Sequence, residues 1–270
     1  MCGDNDSMKP VSLSRPKSPA EVPDLAQASH LRNELVAAVS HELRTPLTSI
    51  HGALALVVSG AAGELPPKAK ALLSVAHRNS ERLVHIINDI LDSEKIESSK
   101  MRVTMQSVSL APFLEQTVAY NEPYAEKFKV HFRLEPVPAG MDVTADPDRL
   151  MQVITNLLSN AAKFSPPGAD VTIRARKADG KIVIEVEDHG AGIPTDFQPR
   201  IFEKFAQAQD ANSPRREGAG LGLSLSRQLV ELMQGEIDFH TEAGKGTVFF
   251  VVFPASPAKA GTKNSAAERA

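Results

Sequence analysis

Val171-Thr-Ile-Arg-Ala-Arg-Lys-Ala-Asp-Gly-Lys-Ile-Val-Ile-Glu-Val-Glu-Asp188 alternates apolar and polar residues in two runs, with Asp179-Gly180 between them. A period of two is the signature of a half-buried strand, and Asp-Gly is a favoured dipeptide for a tight hairpin turn. Similar short runs stand at Val130–Phe132–Leu134, Ile237–Phe239 and Val248–Phe250–Val252. Apolar residues at helical spacing intervene at Leu110 to Lys127, Pro147 to Phe164 and Leu221 to Gln234. Strands packed on one side by helices make an α+β sandwich, and that is the predicted fold from about residue 100 to 254.

Upstream the rhythm differs. Leu31, Leu35, Val39, Leu43, Ile50, Leu54 and Val57 recur at helical spacing, as do Leu72, Ala76, Leu83, Ile86, Ile90 and Leu91. Gly60 to Pro67, with Gly63 and two prolines, reads as the loop between them. Residues 28–99 are therefore expected to form an antiparallel helical hairpin. One hairpin cannot enclose a core: burying a single stripe leaves Val58, Leu73 and Ile87 wet. Pairing two hairpins into a four-helix bundle removes the difficulty, so a C2 homodimer is expected. Residues 1–27 and 255–270 lack periodicity and read as a disordered arm and tail.

Composition narrows the function. A formal charge of -3, a pI near 6.3 and the absence of Trp argue against a nucleic-acid binder. The single cysteine, Cys2, excludes an intrachain disulfide and a cysteine-based zinc site. No apolar run approaches the roughly 20 residues that span a bilayer, and the N-terminus lacks the pattern of a signal peptide. The expectation is a cytoplasmic chain without direct membrane insertion. Sensing would enter from a partner or from a separate or missing module.

Four segments carry candidate chemistry. Asn156, Asn160 and Lys163, at spacings of four and three, share one helix face, while Val153, Ile154, Leu157, Leu158 and Ala161 point elsewhere. Asn offers a hard carbonyl oxygen to Mg²⁺, an ion that usually takes phosphates and waters as its other ligands. Such a stripe is also what an ordinary solvated face looks like. Glu185-Val-Glu-Asp-His-Gly-Ala-Gly-Ile-Pro194 ends a strand in Asp188, followed by Gly190 and Gly192. A carboxylate there can accept from an exocyclic amine, and glycines let backbone approach a flat ring. A plain strand-to-loop turn uses the same residues.

Gly218-Ala-Gly-Leu-Gly-Leu223 opens a helix and presents bare N–H groups, an anion site. It follows no apolar strand, so it is not the dinucleotide fingerprint. Gln207 to Glu217 before it reads as a mobile lid, and Gly244-Lys-Gly-Thr247 as a structural turn. Finally, Ser40-His-Glu-Leu-Arg-Thr-Pro-Leu47 places a histidine on the first helix. With Val39 and Leu43 facing the bundle, His41 points outward. Neutral imidazole is a nucleophile near pH 7, Glu42 is adjacent, and Pro46 is expected to bend the helix just beyond. A lone helical histidine is more often only a surface residue.

Together the segments resemble sensor histidine kinases of two-component systems. SHELRTPL looks like their phosphoacceptor box, NLLSNAAKFS their asparagine box and EDHGAGIP their first glycine box. FEKF (Phe202 to Phe205) resembles the box between, and GAGLGLSLS and GKGTVFF the later glycine boxes. The resemblance covers about residues 30 to 253. It implies a dimerisation and histidine-phosphotransfer hairpin at 28–99, then an ATP-binding catalytic domain of Bergerat (GHKL) type at 100–254. It implies that His41 is the phosphoacceptor, Glu42 the neighbouring base, and Thr45 the residue that positions water during dephosphorylation of the partner. Asn160 would ligate Mg²⁺, with Asn156 and Lys163 near the phosphates of ATP. Asp188 would bind adenine, with Gly190 and Gly192 in its loop. Gly218, Gly220, Leu221 and Gly222 would shape the lid. The implied partner is a response regulator receiver domain. His189 and Ala191 depart from the usual Asn and Pro, with little effect expected.

Two other classes compete. Topoisomerase, repair and chaperone ATPases share the fold, but typically carry Glu four residues before the metal-binding Asn. Here that position is Asn156, and the histidine-bearing hairpin has no counterpart. A degenerate scaffold would have lost the acceptor histidine, the metal Asn or the glycine loop, and all are present.

Overall fold

The computed structural model describes residues 25–207 and 219–255, with side chains from residue 42 onward. Residues 1–24 of the expected arm, 256–270 of the expected tail, most of the expected lid and Gly218 lie outside the described residues, whereas Leu25 to Gln27 already belong to a helix and Ala255 bridges to Val143. Helices α1 (Leu25–Val58) and α2 (Pro67–Glu97) form the hairpin. Pro67 starts α2 at a position where a missing N–H costs nothing. Antiparallel register is visible in two polar contacts. Arg44 donates from Nε and Nη2 to Asn88 Oδ1 at 3.2 and 3.0 Å, and His51 Nδ1 meets Ser80 Oγ at 3.3 Å.

Helix α1 continues through Pro46. The proline has no N–H to give the Glu42 carbonyl four residues earlier, so that rung of the helical ladder is missing one residue from His41. Leu47, Ile87 and Leu91 form the small hairpin core. This corrects the expected stripe: Ile87 is 5% exposed and belongs to the hairpin interior. The wet apolar residues are instead Leu43, Ile50, Leu56, Leu72, Val75 and Leu83, between 45% and 73% exposed. An apolar face thus remains exposed on the hairpin, a different one from that expected.

The second unit has two sheets. Strands β1 (Gln106–Ser109) and β3 (Asp142–Ala145) pair antiparallel as a two-stranded ribbon. The main sheet uses β2 (His131–Leu134), β4 (Asp170–Ala178), β5 (Lys181–Asp188), β6 (Glu236–Glu242) and β7 (Gly246–Pro254). Its order is β2-β4-β5-β7-β6, with only β2 and β4 parallel. Asp179 and Gly180, at φ 49° and 74°, take the paired positive values that a tight primed turn between β4 and β5 requires.

Helices α3 (Leu110–Phe128), α4 (Pro147–Phe164) and α5 (Gly222–Leu232) cover one sheet face. The apolar side of α4, Leu150, Val153, Ile154, Leu157 and Leu158, is at most 1% exposed and belongs to the same core as Ile173, Ile184, Val251 and Phe253. Burying one such side chain contributes about 1.5–3 kcal/mol, so α4 is held firmly with its polar side outward. Its start is fixed by Asp146: Oδ1 accepts from the N–H of Asp148 and Arg149, and Oδ2 from Thr104. This is the α+β sandwich that the Bergerat resemblance implied.

Candidate nucleotide site

The polar face of α4 and the end of β5 meet at one place. Asp188 is the last residue of β5 and only 6% exposed. Its Oδ1 accepts from Gly190 N–H at 2.8 Å and Thr247 N–H at 3.3 Å. Oδ2 is left to accept from something else. Burial pushes the Asp188 carboxyl above the ordinary carboxylate range, and the two N–H donors partly offset that. The carboxylate is therefore desolvated yet held in a fixed orientation, which suits recognition of a donor on a flat ligand.

Gly246 makes this possible. Its φ is +121°, and a Cβ there would lie 2.0 Å from the Asp188 carbonyl oxygen. The turn 244–247 is thus part of the site's frame, and Thr247 touches Asp188 directly. Spacing alone predicts only a structural turn there. Gly-Lys-Gly-Thr followed by a strand was the available signal.

On α4, Asn156 donates from Nδ2 to Ser226 Oγ of α5 at 2.8 Å. A Cβ at Gly222 would stand 2.2 Å from Asn156 Oδ1, so the start of α5 presses directly onto this amide. Asn160 makes only a long 3.5 Å contact from Nδ2 to Asn156 Oδ1 among the described residues. Its own amide oxygen is left for an external cation. Lys163 Nζ lies 4.9 Å from the centre of the Phe164 ring. At the far end of α4, a Cβ on Gly190 would lie 2.6 Å from the Phe164 carbonyl, so the Asp188 loop abuts the C-terminus of α4.

The expected lid begins and ends at a pinched neck. Phe205 N–H donates to the Gly220 carbonyl at 2.8 Å, and a Cβ on Gly220 would be 2.7 Å from the Ala206 carbonyl. Leu221 is 3% exposed and anchors the return into α5. Gly192 lies against the Glu242 backbone. The structure thus gathers Asn156, Asn160, Asp188, Gly190, Gly220, Leu221 and Gly222 around the region joining α4, α5 and the end of β5. His41, Glu42 and Thr45 sit elsewhere, on α1; Glu42 and Thr45 are exposed. A concavity of about 980 Å³ opens on the opposite sheet face, beside β2 and β4. Its walls are ion-paired, Arg133 with Asp170 at 2.8 Å and Arg174 with Glu135 at 2.7 Å, and none of the gathered site residues lines it.

Residues 145–257 match the family "Histidine kinase-, DNA gyrase B-, and HSP90-like ATPase", and residues 31–99 match the "His Kinase A (phospho-acceptor) domain". The chain is 36% identical over 233 residues to the circadian input-output histidine kinase CikA of Synechococcus elongatus, covering 85% of this chain and 31% of that protein. It is 36% identical over 228 residues to the aerobic respiration control sensor protein ArcB of Escherichia coli strain K12, covering 83% and 29%. The chain thus spans about a third of the length of these curated relatives. Full-length ShkA, solved in complex with AMPPNP, superposes with a TM-score of 0.67 at 28% identity, over 83% of this chain and 46% of that one. With a phospho-acceptor domain followed by an ATPase domain of this type, the chain belongs to the histidine kinases.

Proposed function

We propose that this chain is a sensor histidine kinase core that uses Mg–ATP to phosphorylate its own His41. The phosphoryl group then passes to an aspartate of a response regulator receiver domain, and the same core dephosphorylates that regulator. The observation that carries the reading is the buried Asp188 carboxylate. It is oriented by Gly190 and Thr247 beside the polar face of α4, in a chain whose first helix carries a histidine.

Asp188 accepts from the adenine amine, and Gly190 and Gly192 leave room for the ring. Asn156, Lys163 and the turn Gly218, Gly220, Leu221 and Gly222 hold the phosphates, where backbone N–H groups at the start of α5 favour negative charge. Asn160 fits Mg²⁺ by offering one amide oxygen. No cluster of three His, Cys, Asp or Glu that could hold a metal occurs among the described residues, so phosphates and water would complete the ion's shell. When bound, Mg²⁺ offsets the charge on the phosphates.

A ring nitrogen of His41 attacks the γ-phosphorus in line. The new P–N bond forms as the bond to the β-phosphate oxygen breaks, and ADP leaves. Glu42 takes the proton from the other ring nitrogen. Asn156 is a neutral amide pinned by Ser226, so it cannot serve as the base that would activate water for plain ATP hydrolysis. Thr45, one turn beyond His41, positions water for hydrolysis of the regulator's aspartyl phosphate, which releases inorganic phosphate. The exposed Leu43, Ile50, Leu72 and Leu83 supply the face for homodimerisation. The domains are placed at 28–99 and 100–254. The reading sets the reaction in the cytoplasm, and no helix among the described residues is long and apolar enough to cross a membrane.

The test is incubation with γ-labelled ATP and Mg²⁺. Wild type should gain an alkali-stable, acid-labile label that is lost in His41→Gln and Asn160→Ala. Label persisting in His41→Gln refutes the assignment.

A further inference from the structure

The polar side of α4 continues past the nucleotide residues. Lys163, Asn160, Asn156, Gln152 and Arg149 follow at spacings of three, four, four and three, a single stripe along the helix. At its N-terminal end the stripe meets the hairpin. Arg149 Nη1 donates to Asp92 Oδ2 of α2 at 3.0 Å, Gln152 Nε2 donates to the same oxygen at 3.2 Å, and Arg149 Nη1 also donates to Gln152 Oε1 at 2.9 Å. Asp92 is 14% exposed and Arg149 27%, so this closed triangle is partly shielded from solvent. Lys95 Nζ is 3.8 Å from the other Asp92 oxygen. Two flanking contacts fix the same edge: Ser93 Oγ donates to Gln228 Oε1 of α5 at 3.2 Å, and Lys204 pairs with Glu97. Ile96 packs on the catalytic core.

The level of this clasp along the hairpin follows from the helix register. Arg44 lies opposite Asn88 and His51 opposite Ser80, so His41, three residues before Arg44, is level with about Leu91. Asp92 is the next residue. The direction of the nucleotide follows from the other end of α4. The Asp188 loop abuts Phe164 at the C-terminus, and Asn160, Asn156 and Gly222 come next toward the N-terminus. The triphosphate end of the site therefore points along α4 toward the clasp. Gln152 lies eight residues, about 12 Å, from Asn160. Because α4 is a rigid, buried helix, fixing its N-terminal turns on α2 fixes where the phosphates can reach.

We propose that Asp92, clasped by Arg149 and Gln152, is a positioning residue: it sets the register in which the catalytic domain docks on the hairpin, with the phosphate end of the site aimed at the phosphoacceptor turn. The inference rests on the kinase reading above. It assigns Asp92 no contact with substrate. Its work is to raise the effective concentration of the bound nucleotide at His41.

The test compares Asp92→Arg, Arg149→Asp and the double swap in the full chain, with Asp92→Asn as the milder variant. Each reversal should lower the autophosphorylation rate at saturating ATP at least tenfold while the ATP dissociation constant stays within twofold of wild type. The double swap should recover most of the loss, and Asp92→Asn should fall between. Single reversals that phosphorylate at the wild-type rate or faster, or a double swap no better than either single, overturn the proposal. Amide hydrogen exchange keeps the two readings separable. If wild type takes no label at all, the kinase reading fails. The clasp is then judged by exchange at residues 92–97 and 149–152: faster in both reversals and restored in the swap supports docking, and unchanged exchange overturns it.

Discussion

Asp188→Asn separates recognition from folding. In wild type, Oδ1 takes the N–H groups of Gly190 and Thr247, and Oδ2 is free for the adenine amine. The amide can keep its oxygen on the two backbone donors, which turns its NH₂ toward the ligand. A donor then faces a donor. The loss is one hydrogen bond to a charged acceptor, about 1.5–3 kcal/mol, plus about 1–3 kcal/mol for buried donors left unpaired. Together these weaken ATP binding by ~100-fold or more. A nucleotide with a carbonyl in place of the amine, inosine triphosphate, should lose far less, because Asn can donate to it. Stability should hold or rise. Burial raises the folded-state pKa of Asp188, so ionisation costs stability as pH climbs above the unfolded carboxylate value, and the amide removes that cost. Titration calorimetry with both nucleotides, alongside thermal melts, reads all three effects. A folded variant that binds ATP within threefold of wild type would show that Asp188 does not read the amine.

Gly222→Ala should damage the same site from the phosphate side. The new methyl would sit 2.2 Å from Asn156 Oδ1, so ATP affinity should fall at least tenfold in the same calorimetric titration while the sheet core melts normally. Asp89 on α2 has its pKa pushed from 3.8 to about 6 by burial and by neighbouring Asp92. Because the folded value is the higher one, stability should decline as pH rises from about 4 to 6, by ~3 kcal/mol at full effect and roughly half that after screening. Asp89→Asn should flatten this window in urea melts and be the more stable form at pH 7; a variant with the wild-type slope contradicts it. Ile50→Glu, on the exposed hairpin face at 52% exposure, should convert a dimer to monomers in light-scattering chromatography.

Much of the fold is legible because single residues declare it. Asp179-Gly180 fixes the β4–β5 hairpin, and the 147–164 helix has a single apolar face, cleanly buried. The ribbon of β1 and β3 is not legible. Each strand has four residues, Val108 is the only buried position in the first, and the pairing joins segments some 36 residues apart, for which no local signal exists. Periodicity predicts the two helices of the hairpin but rotates their faces. A helix that serves both an intrachain partner and a second hairpin is apolar on two sides, and periodicity alone cannot say which side turns inward; Ile87 and Leu43 exchanged roles for that reason. In the site, Asn160 and Asp188 could be picked out by residue type. Gly-Lys-Gly-Thr marks the turn that carries Thr247, but Ser226 and the Asp92 clasp have no such signal, because their roles come from tertiary contacts between distant elements.

The most direct measurement is made on the tryptic peptide Asn33 to Arg44, whose one histidine is His41. After brief exposure to Mg–ATP at neutral pH, mass spectrometry should find a phosphoryl group on that peptide, removed by mild acid and retained in alkali. An unmodified peptide while ATP is consumed, or an acid-stable group on Ser40, would contradict transfer from the Asp188 pocket to the imidazole.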